Sequence, residues 1–128
     1  MSTRTLREWA AERAEELPGA GAEQPFGPDH TVYKVRGKMF LLFSNAPGGP
    51  YVTLKARPAD ANTLREAFDD VSPGYHMNKR HWISLTTGGT LEEALVRDLV
   101  TESYLLVVET LPRAQRPVDP STFGQPAS

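Results

Sequence analysis

The densest set of chemistry-bearing side chains in the sequence is Tyr75-His76-Met77-Asn78-Lys79-Arg80-His81-Trp82, with two histidines, two bases, an amide and an aromatic pair in one short run. Three chemistries suit such a run. Metal chelation is the least suited: His76 and His81 are five apart, and no Cys, Asp or Glu lies between Ser72 and Thr90. A helical zinc pair uses a spacing of about four with a carboxylate nearby. In an extended segment an odd spacing puts the two rings on opposite faces. Acid–base catalysis is possible in principle, since a histidine beside Lys79 and Asn78 could move a proton or steady an oxyanion. The chain has no nucleophile motif, no glycine-rich phosphate loop and no acidic pair to orient either ring, and Ser44 and Ser72 are isolated. Anion binding remains: Lys79 and Arg80 match phosphate, Asn78 can bond a base edge or backbone, and Tyr75 and the histidine rings can stack. A purely structural use is equally open, with Trp82 as a core anchor and His76 and Asn78 bonding loop backbone.

A second set is basic. Residues 30–59 contain Lys34, Arg36, Lys38, Lys55 and Arg57 and no acid, a local charge of +5, inside a chain whose net charge is −2. Residues 71–91 add +2, while 1–29, 60–70 and 92–128 each carry −3. The basic segments coincide with the strand-like parts of the chain. If those strands share a sheet, its open face is electropositive and the helices carry the acids. The net charge excludes a uniformly basic nucleic-acid binder. A third set, Glu8, Glu12, Glu15 and Glu16, lines one helix and could attract hard cations, although a solvated helix face carries the same residues.

These groups must be positioned by one domain. A chain of 128 residues buries enough surface for a core of its own. With no cysteine there is no disulfide framework and no thiolate metal site. No apolar run approaches the ~20 residues of a membrane span, and the N-terminus lacks the basic-then-apolar form of a signal peptide. The expectation is a cytoplasmic protein with no membrane partner.

Residues 3–17 read as an amphipathic helix on Leu6, Trp9, Ala10, Arg13, Ala14 and Leu17, with Thr5 and Glu8 as a capping box. Pro18-Gly19 stops it, and 18–30 reads as a loop. Thr31–Val35 and Lys38–Ser44 flank Arg36-Gly37 as a tight hairpin. The unalternating Met39–Phe43 suits a central strand covered on both faces, and Tyr51–Ala56 alternates as a third strand. Pro58 opens a helix over 58–69. Pro73-Gly74 is a turn and His81–Thr86 a strand. Thr90 and Glu93 cap a long helix over 91–111, ended by Pro112. This order predicts an α+β two-layer domain, an antiparallel sheet with helices packed on one face, spanning residues 1–115, with 116–128 as a disordered proline-rich tail.

Pro18-Gly19 with Glu23, Tyr33-Lys34-Val35 followed by Gly37-Lys38-Met39-Phe40, Leu54-Lys55, His76-Met77-Asn78-Lys79-x-His81-Trp82 and Ser103-Tyr104 through Leu111-Pro112 together resemble the MmcQ/YjbR-like family over about residues 5–115. The resemblance implies a CyaY-like (bacterial frataxin-like) fold in small cytoplasmic bacterial proteins. It also implies DNA binding by a pair of wings built from strands and their connections, without catalytic residues. The residues that match the pattern are Lys34, Lys38, Lys55, His76, Asn78, Lys79, His81 and Trp82, while Arg36 adds a charge to the hairpin wing.

The function expected is non-enzymatic DNA binding, weak and mainly electrostatic, through Lys34, Arg36, Lys38, Lys55, His76, Asn78, Lys79, Arg80 and His81, with no cofactor and no metal. The competing expectations are a protein- or small-anion-interaction domain with a pocket at His76–Trp82, and a frataxin-like metal-handling domain acting through the first helix.

Overall fold

The computed structural model describes residues 6–24, 30–46, 49–73, 81–86 and 91–123, the side chains of 45, 46, 49 and 50 excepted. In chain order the described elements are α1 (Leu6–Glu16), β1 (Ala20–Glu23), β2 (His30–Val35), β3 (Lys38–Ala46), β4 (Gly49–Lys55), α2 (Pro58–Ala67), β5 (Val71–Pro73), β6 (Trp82–Thr86) and α3 (Glu93–Glu109). The strands form one antiparallel sheet in the order β1-β2-β3-β4-β6-β5. The helices lie on one face of it, as the element order predicted.

Two strands were not legible as such. β1 extends β2 within the stretch expected to be a loop, and β5 pairs with β6 through Val71, Ser72 and Pro73, the last of which was expected to open a turn. Both are short edge strands. Proline is tolerated at such an edge because its missing N–H need not enter a ladder. The N-cap of α3 is Glu92, without a side-chain capping bond, not Thr90. Thr5 and Thr90 lie outside the described residues.

The apolar run of β3 has a cause that periodicity does not reveal. Tyr33 pairs with Leu41 but Lys34 pairs with Met39, so Phe40 is an extra residue, a β-bulge. The bulge turns Phe40 and Leu41 to the same, helix-covered side, and both are fully buried. Phe40 stacks edge-on with Tyr104 of α3, centroids 5.4 Å apart. Tyr33, Val35, Phe43, Val52, Leu54, Val71, Ile83 and Leu85 complete the strands' contribution to the core. From α3 come Val96, Leu99, Val100, Ser103, Tyr104, Val107 and Val108, the stripe that helical periodicity requires.

The bulge leaves ladder groups without strand partners, and Ser103 takes them over. The Lys55 N–H donates to Ser103 Oγ at 2.8 Å, and the Ser103 hydroxyl donates to the Phe40 carbonyl at 2.6 Å. Ser103 is fully buried, so a helix side chain completes a break between β3 and β4. Ser103→Ala strands two backbone groups away from water, and should lower unfolding free energy by about 2–4 kcal/mol, read from urea denaturation.

The core differs from expectation at Trp82. Phe40 is the buried anchor expected, whereas Trp82 is partly exposed, because the buried positions of β6 are Ile83, Ser84 and Leu85. The C-terminal boundary differs too. Beyond α3 a 3₁₀ turn spans Arg113–Gln115, and the chain continues against the domain as far as Phe123. Arg116 donates from Nε to the Leu111 carbonyl (3.0 Å) and from Nη2 to the Glu109 carbonyl (2.9 Å), satisfying acceptors that every helix end leaves open. Val118 and Phe123 pack against the core, the latter 6.1 Å from the Tyr104 ring. Gly19, at φ 76°, lets Pro117 approach to 3.1 Å from where a Cβ would stand. Residues 116–123 thus dock where a disordered tail was expected, since proline-rich chain can bury two apolar side chains without forming a helix or strand. Truncation after Gln115 should lower stability by about 2 kcal/mol, visible as a reduced denaturation midpoint.

Candidate functional site

Strand register brings several of the sequence candidates to one end of the sheet. Arg36 and Gly37 form the β2–β3 turn with φ of 50° and 80°, the two positive angles a type I′ hairpin needs. Lys34 precedes that turn and Lys38 follows it. Leu41 pairs with Leu54 and Lys55 with Trp82, so Lys55, Trp82 and the adjoining His81 lie at this same end. The Ala56 N–H donates to the His81 carbonyl at 2.8 Å, prolonging the ladder. His76, Asn78, Lys79 and Arg80 lie outside the described residues.

The bases at this end differ in what compensates them. Lys34 Nζ is 3.0 Å from Glu23 Oε2, a diagonal cross-strand pair. Arg36 donates from Nε to the Gln115 carbonyl at 2.9 Å, and Lys38 donates from Nζ to Thr110 Oγ1 at 3.1 Å. Both of those acceptors are neutral. Lys55 borders a shallow groove of about 200 Å³ with Asp60, Leu64, Leu99 and Glu102, without an ion pair among the described residues. Through its bond to Gln115, Arg36 also joins the 3₁₀ turn that carries Arg113, with Arg116 next in the chain. These two arginines were missed because their segment was read as tail; the signal available was two bases three apart directly after a helix-ending proline. They lie near Asp119, whose carboxyl sits below its ordinary range chiefly through hydrogen bonds from Ser121, with Arg116 and Arg113 adding to the effect.

The bases on the helical side are arranged otherwise. Arg97 reaches Glu12 (3.2 Å) and Glu16 (2.6 Å), and Arg13 reaches Glu16 (3.0 Å). Arg57 spans Glu102 (3.2 Å) and Glu109 (3.5 Å). Of the acidic face of α1 considered above for cations, Glu12 and Glu16 are therefore bonded to the protein's own guanidinium groups, and Glu16 is held below its ordinary range by the Arg13 hydrogen bond first. Glu15 accepts the Tyr33 hydroxyl proton at 3.3 Å. Among the described residues no three His, Asp or Glu side chains are grouped to hold a metal ion. No helix among them is long and apolar enough to cross a membrane.

Burial, and after it the neighbouring Glu15 carboxylate, push Tyr33 up to about 12, and burial alone raises Tyr104. Both groups favour the protonated phenol in the folded state. Their contribution is complete below pH 10 and is lost as pH rises through the folded values. Stability should thus decline from about pH 10 toward 12, and Tyr33→Phe should make that decline shallower in denaturation midpoints measured across this range.

The YjbR family model matches residues 15–106. The uncharacterized protein YbdF of Escherichia coli O157:H7 is 42% identical over 121 residues, covering 94% of this chain and 99% of that protein. The uncharacterized protein YjbR of Escherichia coli K12 is 36% identical over 98 residues, covering 75% and 83% respectively. The crystal structure of Deinococcus radiodurans protein DR2400, a DUF419 domain, superposes with a TM-score of 0.81 at 29% identity, covering 98% of this chain and 96% of that one. With the family match spanning most of the sheet and reaching into α3, this chain belongs to the YjbR family.

Proposed function

We propose that the protein is a non-enzymatic DNA-binding module that holds the phosphate backbone weakly through the β2–β3 hairpin end of its sheet. One observation carries the reading: two bases of the hairpin end, Arg36 and Lys38, are bonded to neutral acceptors, while three arginines elsewhere are bonded to carboxylates. Arg13, Arg57 and Arg97 are spent on carboxylates of the helical side, whereas Arg36 and Lys38 are held by a carbonyl and a hydroxyl, which orient the side chain without cancelling its charge. An oriented, uncompensated guanidinium beside an ammonium suits phosphate. Lys55 and His81 lie at the same end, and Lys34 contributes less because Glu23 already faces it.

Such a site neutralises about three or four phosphates, so the log–log salt slope on duplex DNA should be about −3, with affinity falling roughly 50–100-fold between 50 and 200 mM salt. Backbone contacts of this kind position the protein without reading sequence. Fluorescence anisotropy with a labelled 20-base-pair duplex tests this. Arg36→Glu with Lys38→Glu should remove binding, and Lys34→Glu alone should weaken it less. Tight binding at 200 mM salt that survives the double reversal would put the site elsewhere. A flat titration at 50 mM would discard DNA and favour the protein- or small-anion-interaction reading.

A further inference from the structure

The tip of the β2–β3 hairpin and the chain leaving α3 meet on one surface, and both contribute bases to it. Lys38 Nζ donates to Thr110 Oγ1 at the C-cap of α3, and Arg36 Nε donates to the Gln115 carbonyl. The hairpin thus lies against both ends of the short stretch 110–115, which includes Arg113. Register places Lys38 opposite Val35, a residue of the helix-facing core, so this surface belongs to the helical side of the hairpin end. Lys34, paired with Met39, points the other way. Arg36, Lys38 and Arg113 are all exposed, and the Arg113 guanidinium has no hydrogen bond or ion pair among the described residues. Arg116 is turned inward instead, bonded to the carbonyls of Leu111 and Glu109. Two acids lie nearby. Glu109 is 3.5 Å from Arg57. Asp119 accepts from the Ser121 N–H (2.9 Å) and hydroxyl (2.6 Å), and with Arg113 and Arg116 it lines a concavity of about 630 Å³.

We infer that Arg113 is a further phosphate-binding residue, and that the DNA-contacting surface runs from the β2–β3 hairpin across the end of α3. The inference rests on the DNA reading above and extends its surface by one contact. Exposed cations that converge without a carboxylate partner repel one another, and a polyanion relieves that repulsion. A guanidinium free of intramolecular bonds keeps its whole fork for phosphate oxygens. With Arg36 and Lys38, Arg113 brings the neutralised phosphates to about three, the number that corresponds to a salt slope of about −3. Asp119 acts against this. Its carboxyl is held below the ordinary range, chiefly by the Ser121 hydrogen bonds and further by Arg116 and Arg113, and is therefore charged at neutral pH. A carboxylate at that position weakens the attraction Arg113 exerts on a phosphate.

Anisotropy with the labelled 20-base-pair duplex, titrated at several salt concentrations from about 50 to about 200 mM, tests this. Arg113→Ala should weaken binding roughly tenfold at the lowest salt and make the log–log slope shallower by about one. Arg113→Lys, which keeps the charge, should retain the slope of the unaltered protein. Asp119→Asn should tighten binding a few-fold, because it removes an opposing charge and keeps an oxygen for Ser121. Urea midpoints of the Arg113 variants should match that of the unaltered protein, since this guanidinium holds no other described group in place. Unchanged affinity and slope in Arg113→Ala, with binding lost in the Arg36→Glu, Lys38→Glu double variant, overturn the inference and leave the hairpin site standing. A flat titration of the unaltered protein overturns both.

Discussion

Ser103 sits at the point where the two layers of this protein are joined. β3 carries one residue too many for β2, and the extra residue, Phe40, is the large aromatic that meets Tyr104. The ladder between β3 and β4 ends at Leu41 and Leu54, leaving the next groups, the Phe40 carbonyl and the Lys55 N–H, in the interior, where an orphaned N–H or C=O costs about 1–3 kcal/mol. The Ser103 hydroxyl accepts from the β4 side and donates to the β3 side, so α3 satisfies both groups. Sheet curvature, the aromatic cluster and the seating of the long helix become one cooperative unit. The same break sets where Lys55 leaves β4 and where the hairpin end begins.

Around that joint the charges divide. On the helical side Arg13–Glu16 pairs within α1, and the other pairs link elements distant in sequence, Arg97 on α3 to α1 and Arg57 before α2 to α3. These pairs are partly exposed, and exposed pairs contribute little stability individually. Their larger effect is on the field, because they cancel the acids that would otherwise repel a polyanion. At the hairpin end the acceptors of Arg36 and Lys38 are neutral, and their positive charge stays available. The chain's net charge of −2 therefore describes the molecule poorly, since much of its negative charge is locally neutralised.

The C-terminal segment contributes in a related way. Arg116 closes the end of α3 with two backbone bonds, and Gln115 supplies the carbonyl that orients Arg36. A segment poor in regular structure is thus part of both the core, through Phe123, and the basic end, through Gln115. Docking needs only a few apolar contacts and a glycine that lets Pro117 approach closely.

The sequence by itself determined the class of fold, the hairpin at Arg36-Gly37, the helices and the central position of β3. Each is written in local signals: glycine for a positive φ, proline at helix boundaries, and a 3.6-residue stripe along α3. The family was legible as well, because its pattern runs through those elements. Only the tertiary structure decided the edge strands β1 and β5, whose short stretches pair because a neighbour offers free backbone groups. It alone decided the bulge at Phe40, since an unalternating apolar run reads the same whether both faces are covered or one residue is doubled back. Trp82 was legible as an aromatic but not as a partly exposed one, for burial depends on which strand face the helices cover. Likewise Lys34, Arg36 and Lys38 read alike as bases in an acid-free stretch. Which of them keeps its charge available depends on partners up to 79 positions away in the chain, and contacts at that separation exist only once the chain has folded.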